Sequence, residues 1–139
     1  MNPNLILHVV AKFLIPLIIV FALYVQFHGD FGPGGGFQAG VIFSAALILY
    51  ALVFGLDAAE KIIPPHLLRI LASLGLVIYA GVGVVTLLLG GNYLDYNTLG
   101  STQIAGQHLG ILLVELGVGI TVSAVMLIIF FAFAGRGRA

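Results

Sequence analysis

The chain has 139 residues, 61% apolar and 7% charged, with five basic and five acidic residues, no net charge and no cysteine. Its mean hydropathy is +1.21. Soluble domains carry about a quarter charged residues, so a soluble enzyme, a disordered chain and a nucleic-acid binder with a basic face are all excluded. Without cysteine there are no disulfides, no thiol chemistry and no Cys-ligated zinc or iron–sulfur site. An integral membrane protein remains.

Four apolar runs follow one another: residues 5–27, 37–55, 67–89 and 109–134. Each approaches or exceeds the ~20 residues that a helix needs to cross a ~30 Å hydrocarbon core. They predict an all-α bundle of four transmembrane helices in one domain spanning residues 1–139. The first run is too long for a signal-peptide core, has no charged segment before it, and contains Lys12 and Pro16. Pro16 lacks an N–H, so the carbonyl of Lys12 loses its helical partner and needs another donor. Lys12 lies only about 10 Å into its helix, shallow enough to snorkel to the interface, and His8 is shallower still.

The first break, His28–Gly36 (HGDFGPGGG), is a Gly/Pro turn that cannot continue a helix. Within it His28, Pro33, Gly34, Gly35 and Gly36, together with Phe37 at the start of the next run, are expected to be structural. In the second run, Gly36, Gly40 and Ser44 recur at four-residue spacing and mark a close-packing face. The second break, Asp57–Pro65 (DAAEKIIPP), is short and charged. The third, Gly90–Gln107, is the longest polar stretch, and its Tyr93 and Tyr96 suit an interfacial position. Lys61, Arg69, Arg136 and Arg138 all fall on the side of the second break and the C-terminal tail, whereas the first and third breaks contain no Lys or Arg. The positive-inside rule therefore predicts cytoplasmic termini, with the glycine turn and the third loop outside.

Ionisable residues inside a span are costly and are functional candidates by default. Glu115 in the fourth run and Lys12 in the first are the foremost, with His8 and His108 beside the ends of their spans. His108, Leu112, Glu115, Gly119 and Ser123 share one helical face. The small residues on it let helices approach closely, so Glu115 is expected to look into protein. There it serves either as a proton or cation relay or as a hydrogen-bonding group of the packing. At their predicted depths, Lys12 and Glu115 differ by roughly 10 Å and are not expected to pair directly. Gly34, Gly36 and Ala39 formally fit G-x-G-x-x-A, but they join two spans rather than a strand and a helix, which sets a dinucleotide site aside. No metal-ligand spacing, no Ser/His/Asp set and no second carboxylate near Glu115 is present. Neither enzymatic activity nor a cofactor is expected.

The run His28–Gly40, HGDFGPGGGFQAG, resembles the signature of the small B subunit of Mrp-type multisubunit cation/proton antiporters, the MnhB/MrpB family. The similarity covers essentially the whole chain: Lys12 in the first span, PGGGF at Pro33–Phe37, Gly106 and Gln107 before the last span, and E-L-G at Glu115–Gly117. The chain departs from the pattern at Ala39, where a glycine is common, and at Asp30, where many members carry His or Asn. The resemblance implies a bacterial plasma-membrane complex of about seven different subunits that exchanges cytoplasmic Na⁺ for external protons. It also implies kinship with the membrane arms of respiratory complex I and membrane-bound hydrogenases. The expected partners are therefore other subunits of the complex, the lipid bilayer, and Na⁺ and H⁺ as transported ions, with no nucleic acid. The subunit either lines part of the ion path, through Glu115, Lys12, His8 and His108, or serves packing and assembly alone.

Overall fold

A computed structural model describes residues 4–28 and 34–136, except for the side chains of residues 97 and 103. Pro33, Asp30 and Arg138, which the sequence singles out, lie outside the described residues. Among these residues the structure is helical, with no strand: α1 Leu5–His28, α2 Gly36–Phe54, α3 Leu56–Ile62, α4 Pro65–Leu88, a 3-10 turn at Tyr96–Leu99, and α5 Gln103–Ala134. Four of these helices, α1, α2, α4 and α5, are long and apolar enough to cross a membrane.

Local chemistry explains the ends. α1 passes through Pro16 as one helix. The second break is not a plain loop: it forms α3, with Asp57 in its first turn and Lys61 in its last, each at the helix end that favours its charge. Pro65 occupies the first turn of α4, where a missing N–H costs nothing. α5 begins at Gln103, ahead of its apolar run, because Thr102 caps it by accepting a hydrogen bond from the Ala105 N–H at 3.1 Å. At 32 residues, α5 is about 48 Å long and overreaches a ~30 Å core.

α5 is the central helix. It packs along α4 on one side and along α2 on the other, while α1 packs on α2 and reaches α5 at only a few positions. Small residues set these spacings: Gly75 of α4 lies against Gly117 and Thr121 of α5, and Gly40 of α2 lies against Gly119 and Val122. The apolar contacts concentrate where α3 folds under the bundle, with Ala59, Leu68, Leu127 and Phe131 buried together. Most of the remaining apolar surface of α1 and α4 faces outward, as expected of helices that meet lipid or other proteins.

Candidate functional site

The glycine turn and Glu115, some eighty residues apart in sequence, meet in space. Gly34 and Gly35 have φ of +140° and +151°, angles that side chains other than glycine's rarely tolerate. Gly36 then opens α2 where there is no space for a side chain, since a methyl group there would overlap the Glu115 carbonyl. With no Cβ in the way, α5 lies backbone to backbone on the first turn of α2. The Glu115 carboxylate comes beside Gly35: a methyl at Gly35 would stand 3.3 Å from Glu115 Oε1 and 3.2 Å from Gln38 Oε1. Gly35, the N-cap of α2, supplies no side-chain cap. A helix N-terminus presents unpaired N–H groups and about half a positive charge, a favourable setting for a carboxylate. Glu115 is partly buried there.

The same α5 face continues inward. Gly119 lies one turn below Glu115, and a methyl on it would be 3.3 Å from the Gly36 carbonyl oxygen and 2.6 Å from Gln26 Oε1. Ser123, a further turn on, donates its hydroxyl to the Gly119 carbonyl at 2.5 Å. Gln26 is 6% exposed, and among the described residues its Nε2 has no hydrogen-bond partner. An orphaned buried donor costs about 1–3 kcal/mol. Gln26 and Ser123 border a cleft of about 250 Å³ between α1 and α4 whose lining is otherwise almost wholly apolar. Gln26 is not among the residues that the apolar pattern singles out, because it stands next to the end of a run. The signal available was its place inside a span, where polar side chains serve as contacts between helices.

The other candidates lie elsewhere. Lys12 is exposed, with its Nζ 5.9 Å from the centre of the Phe54 ring, within cation–π range. His8 meets the same ring edge to face at 5.0 Å and approaches the Asn4 carbonyl at 2.6 Å. Phe54 closes α2 and Gly36 opens it, so Lys12 and Glu115 stand near opposite ends of that helix, about 27 Å apart along its axis. That exceeds the depth difference expected from sequence, because Glu115 lies level with the start of α2 rather than below it. His108 is exposed about 10 Å up α5 from Glu115. His28 stacks on Tyr24 at 4.9 Å, and Phe37 points outward. The structure thus joins Glu115 to Gly35 and Gly36 and leaves Lys12, His8 and His108 apart from them. Among the described residues no three His, Asp or Glu side chains gather as metal ligands would.

The third loop folds back on the helix ends. The Tyr93 ring fills the space over Gly83, and the Tyr96 ring that over Gly110. The Leu94 N–H donates to Thr86 Oγ1 at 2.9 Å. Burial, followed by the neighbouring Tyr79 phenol, raises the pKa of Tyr96 above its ordinary value.

Residues 6–128 match the family described as a domain related to the MnhB subunit of Na⁺/H⁺ antiporters. Curated relatives named "Putative antiporter subunit mnhB2" occur in Staphylococcus aureus strains Newman, JH1 and COL. Each is 32% identical over 135 residues, covering 95% of this chain and 95% of the relative. By the extent of both matches, the chain belongs to the MnhB family.

Proposed function

We propose that this chain is a membrane subunit of a multisubunit Na⁺/H⁺ antiporter and that Glu115 belongs to its ion path. The observation that carries the reading is the seat of the Glu115 carboxylate against the glycine-built N-terminus of α2. A carboxylate inside a membrane protein needs compensation, and the end of α2 offers partial positive charge. A proton or Na⁺ arriving at Glu115 neutralises it and weakens its hold on α2. Ion occupancy is thereby coupled to the packing of α2 on α5. Transport, rather than bond-making chemistry, is the role, and no cofactor takes part. The complex lies in the bacterial plasma membrane with both termini and α3 cytoplasmic and the third loop outside. The outward-facing apolar surfaces of α1 and α4 meet lipid and the other subunits.

Glu115→Gln keeps the size and one acceptor oxygen but cannot ionise. The expected result is a complex of normal composition with impaired Na⁺/H⁺ exchange in membrane vesicles. Unchanged exchange from pH 7 to 9 in a normally assembled complex refutes the ion-path role and leaves Glu115 as a group that holds α5 to α2. The subunit is then one of assembly, in this complex or a complex I-like relative. Lys12, His8 and His108 are the secondary candidates for the path, reached near its two ends.

A further inference from the structure

We propose that the cleft between α1 and α4 holds one acyl chain of a membrane phospholipid, whose ester carbonyl accepts a hydrogen bond from the Gln26 amide. The cleft exists because α1 packs on α2 and reaches α5 at only a few positions, which leaves a gap beside α5. Its walls include Leu23 of α1, Phe43 of α2, Leu71 of α4 and Ile120 of α5, and almost all of its lining is apolar. Along α5 it runs from Leu116 to Leu127, about 16 Å of helix. A cleft of about 250 Å³ over that length is a slot a few ångströms wide. That is the scale of one hydrocarbon chain and too narrow for a helix of ~10–12 Å.

The polarity of the cleft is that of a lipid tail below its ester. Gln26 is 6% exposed and lines the cleft near its end toward the glycine turn. Its oxygen faces Gly119, and its Nε2 has no partner among the described residues. The other polar side chain of the lining, Ser123, already donates to the Gly119 carbonyl. A bilayer core offers no water to a buried N–H, so the Gln26 donor needs an acceptor that arrives with an apolar body. A water held in this lining would itself lack most of the 2–4 polar partners it needs. An ester carbonyl accepts without bringing a donor or a charge, and the chain behind it is apolar. Depth agrees as well. Gln26 is level with Gly119, about one turn inside the start of α2, and Leu127 lies about 12 Å deeper. The foot of the cleft thus falls just past the middle of a ~30 Å core, the reach of a chain from one leaflet. None of this depends on the role of Glu115.

The test uses the whole complex in vesicles of phosphatidylethanolamine and phosphatidylglycerol. A trace phospholipid carries a photoreactive diazirine in its acyl chain, joined to glycerol by an ester or, in a matched probe, by an ether. After illumination, adducts on this subunit are located by peptide mass spectrometry. Adducts are expected at Phe43 and Ile120 in the cleft, about fivefold more with the ester than with the ether probe, as one hydrogen bond implies. At lipid-facing sites elsewhere in the complex the two probes should label equally. Gln26→Leu, which keeps most of the bulk and removes the amide, should abolish the ester preference in the cleft alone. Equal labelling of the cleft by both probes in the parent complex overturns the proposal, whether or not the variant assembles. Persistence of the preference in assembled Gln26→Leu overturns it too. A cleft without adducts, beside normal labelling elsewhere, does the same and gives the gap to a helix of another subunit.

Discussion

Replacing Gly36 with alanine places a methyl group on the Glu115 carbonyl oxygen. At Gly40, the next small residue down α2, the same change brings the new carbon to 2.8 Å from the Gly119 carbonyl oxygen and 2.9 Å from Val122 Cβ. Ordinary contact begins near 3.4 Å, so α2 must withdraw by about 0.6 Å at Gly40 and by about 1 Å or more at Gly36. A gap of ~0.5–1 Å forfeits a quarter to a half of each lost contact's dispersion energy, and overpacked helices lose ~1–3 kcal/mol. Gly36 stands at the first helical position, so the gain in helix propensity that alanine brings to a helix interior is small there. The net for Gly36→Ala is about 2 kcal/mol of destabilisation, roughly thirtyfold in the equilibrium. Gly81→Ala is the control: nothing lies within 4 Å of a methyl there, and alanine inside a helix gains up to ~1 kcal/mol. The assay is the thermal midpoint of the detergent-extracted complex, with subunit composition followed on native gels. A Gly36→Ala midpoint equal to or above that of Gly81→Ala refutes the close approach of α5 to the glycine turn.

Two further outcomes are expected. Cysteines introduced at Ser101 and Asp57, both exposed, report sidedness on a chain with no native cysteine; an impermeant thiol reagent applied to intact cells should label Ser101→Cys alone, and labelling of Asp57→Cys alone inverts the orientation. Ala59 is a poorer probe of that loop, being 5% exposed. Tyr96 has a raised pKa, so its neutral form is favoured by folding. Its contribution is complete below the ordinary phenol pKa of ~10 and is lost as pH climbs through the higher folded value. Tyr96→Phe should remove a tyrosinate step that lies above the ordinary phenol pKa of ~10; loss of a step at the ordinary value instead refutes burial of this phenol.

Much of the architecture is legible without coordinates because a bilayer imposes a length. Runs of about twenty apolar residues have one stable form there, and the Gly/Pro segment at His28–Gly36 interrupts them unambiguously. The family resemblance was carried by Pro33–Phe37, a short motif read letter by letter. Helix ends were less legible: α5 starts at Gln103 because Thr102 caps it, and α3 forms from charges placed to suit its ends. Neither signal enters a count of apolar residues.

Facing is what tertiary structure decided. Helices apolar on nearly every side carry almost no moment to say which side turns inward. The sequence marked Glu115 and the glycine turn as separate features, one chemical and one structural. Only the packing of α5 on α2 makes them one site, because the missing side chain at Gly36 lets the Glu115 backbone in. The same packing sets Lys12 beside Phe54 near the other end of α2, a full helix length from the carboxylate. It also buries Gln26 against Gly119. The physical reason is common to all three: hydropathy specifies that a segment crosses the membrane, whereas contacts between helices depend on where the small residues let backbones meet.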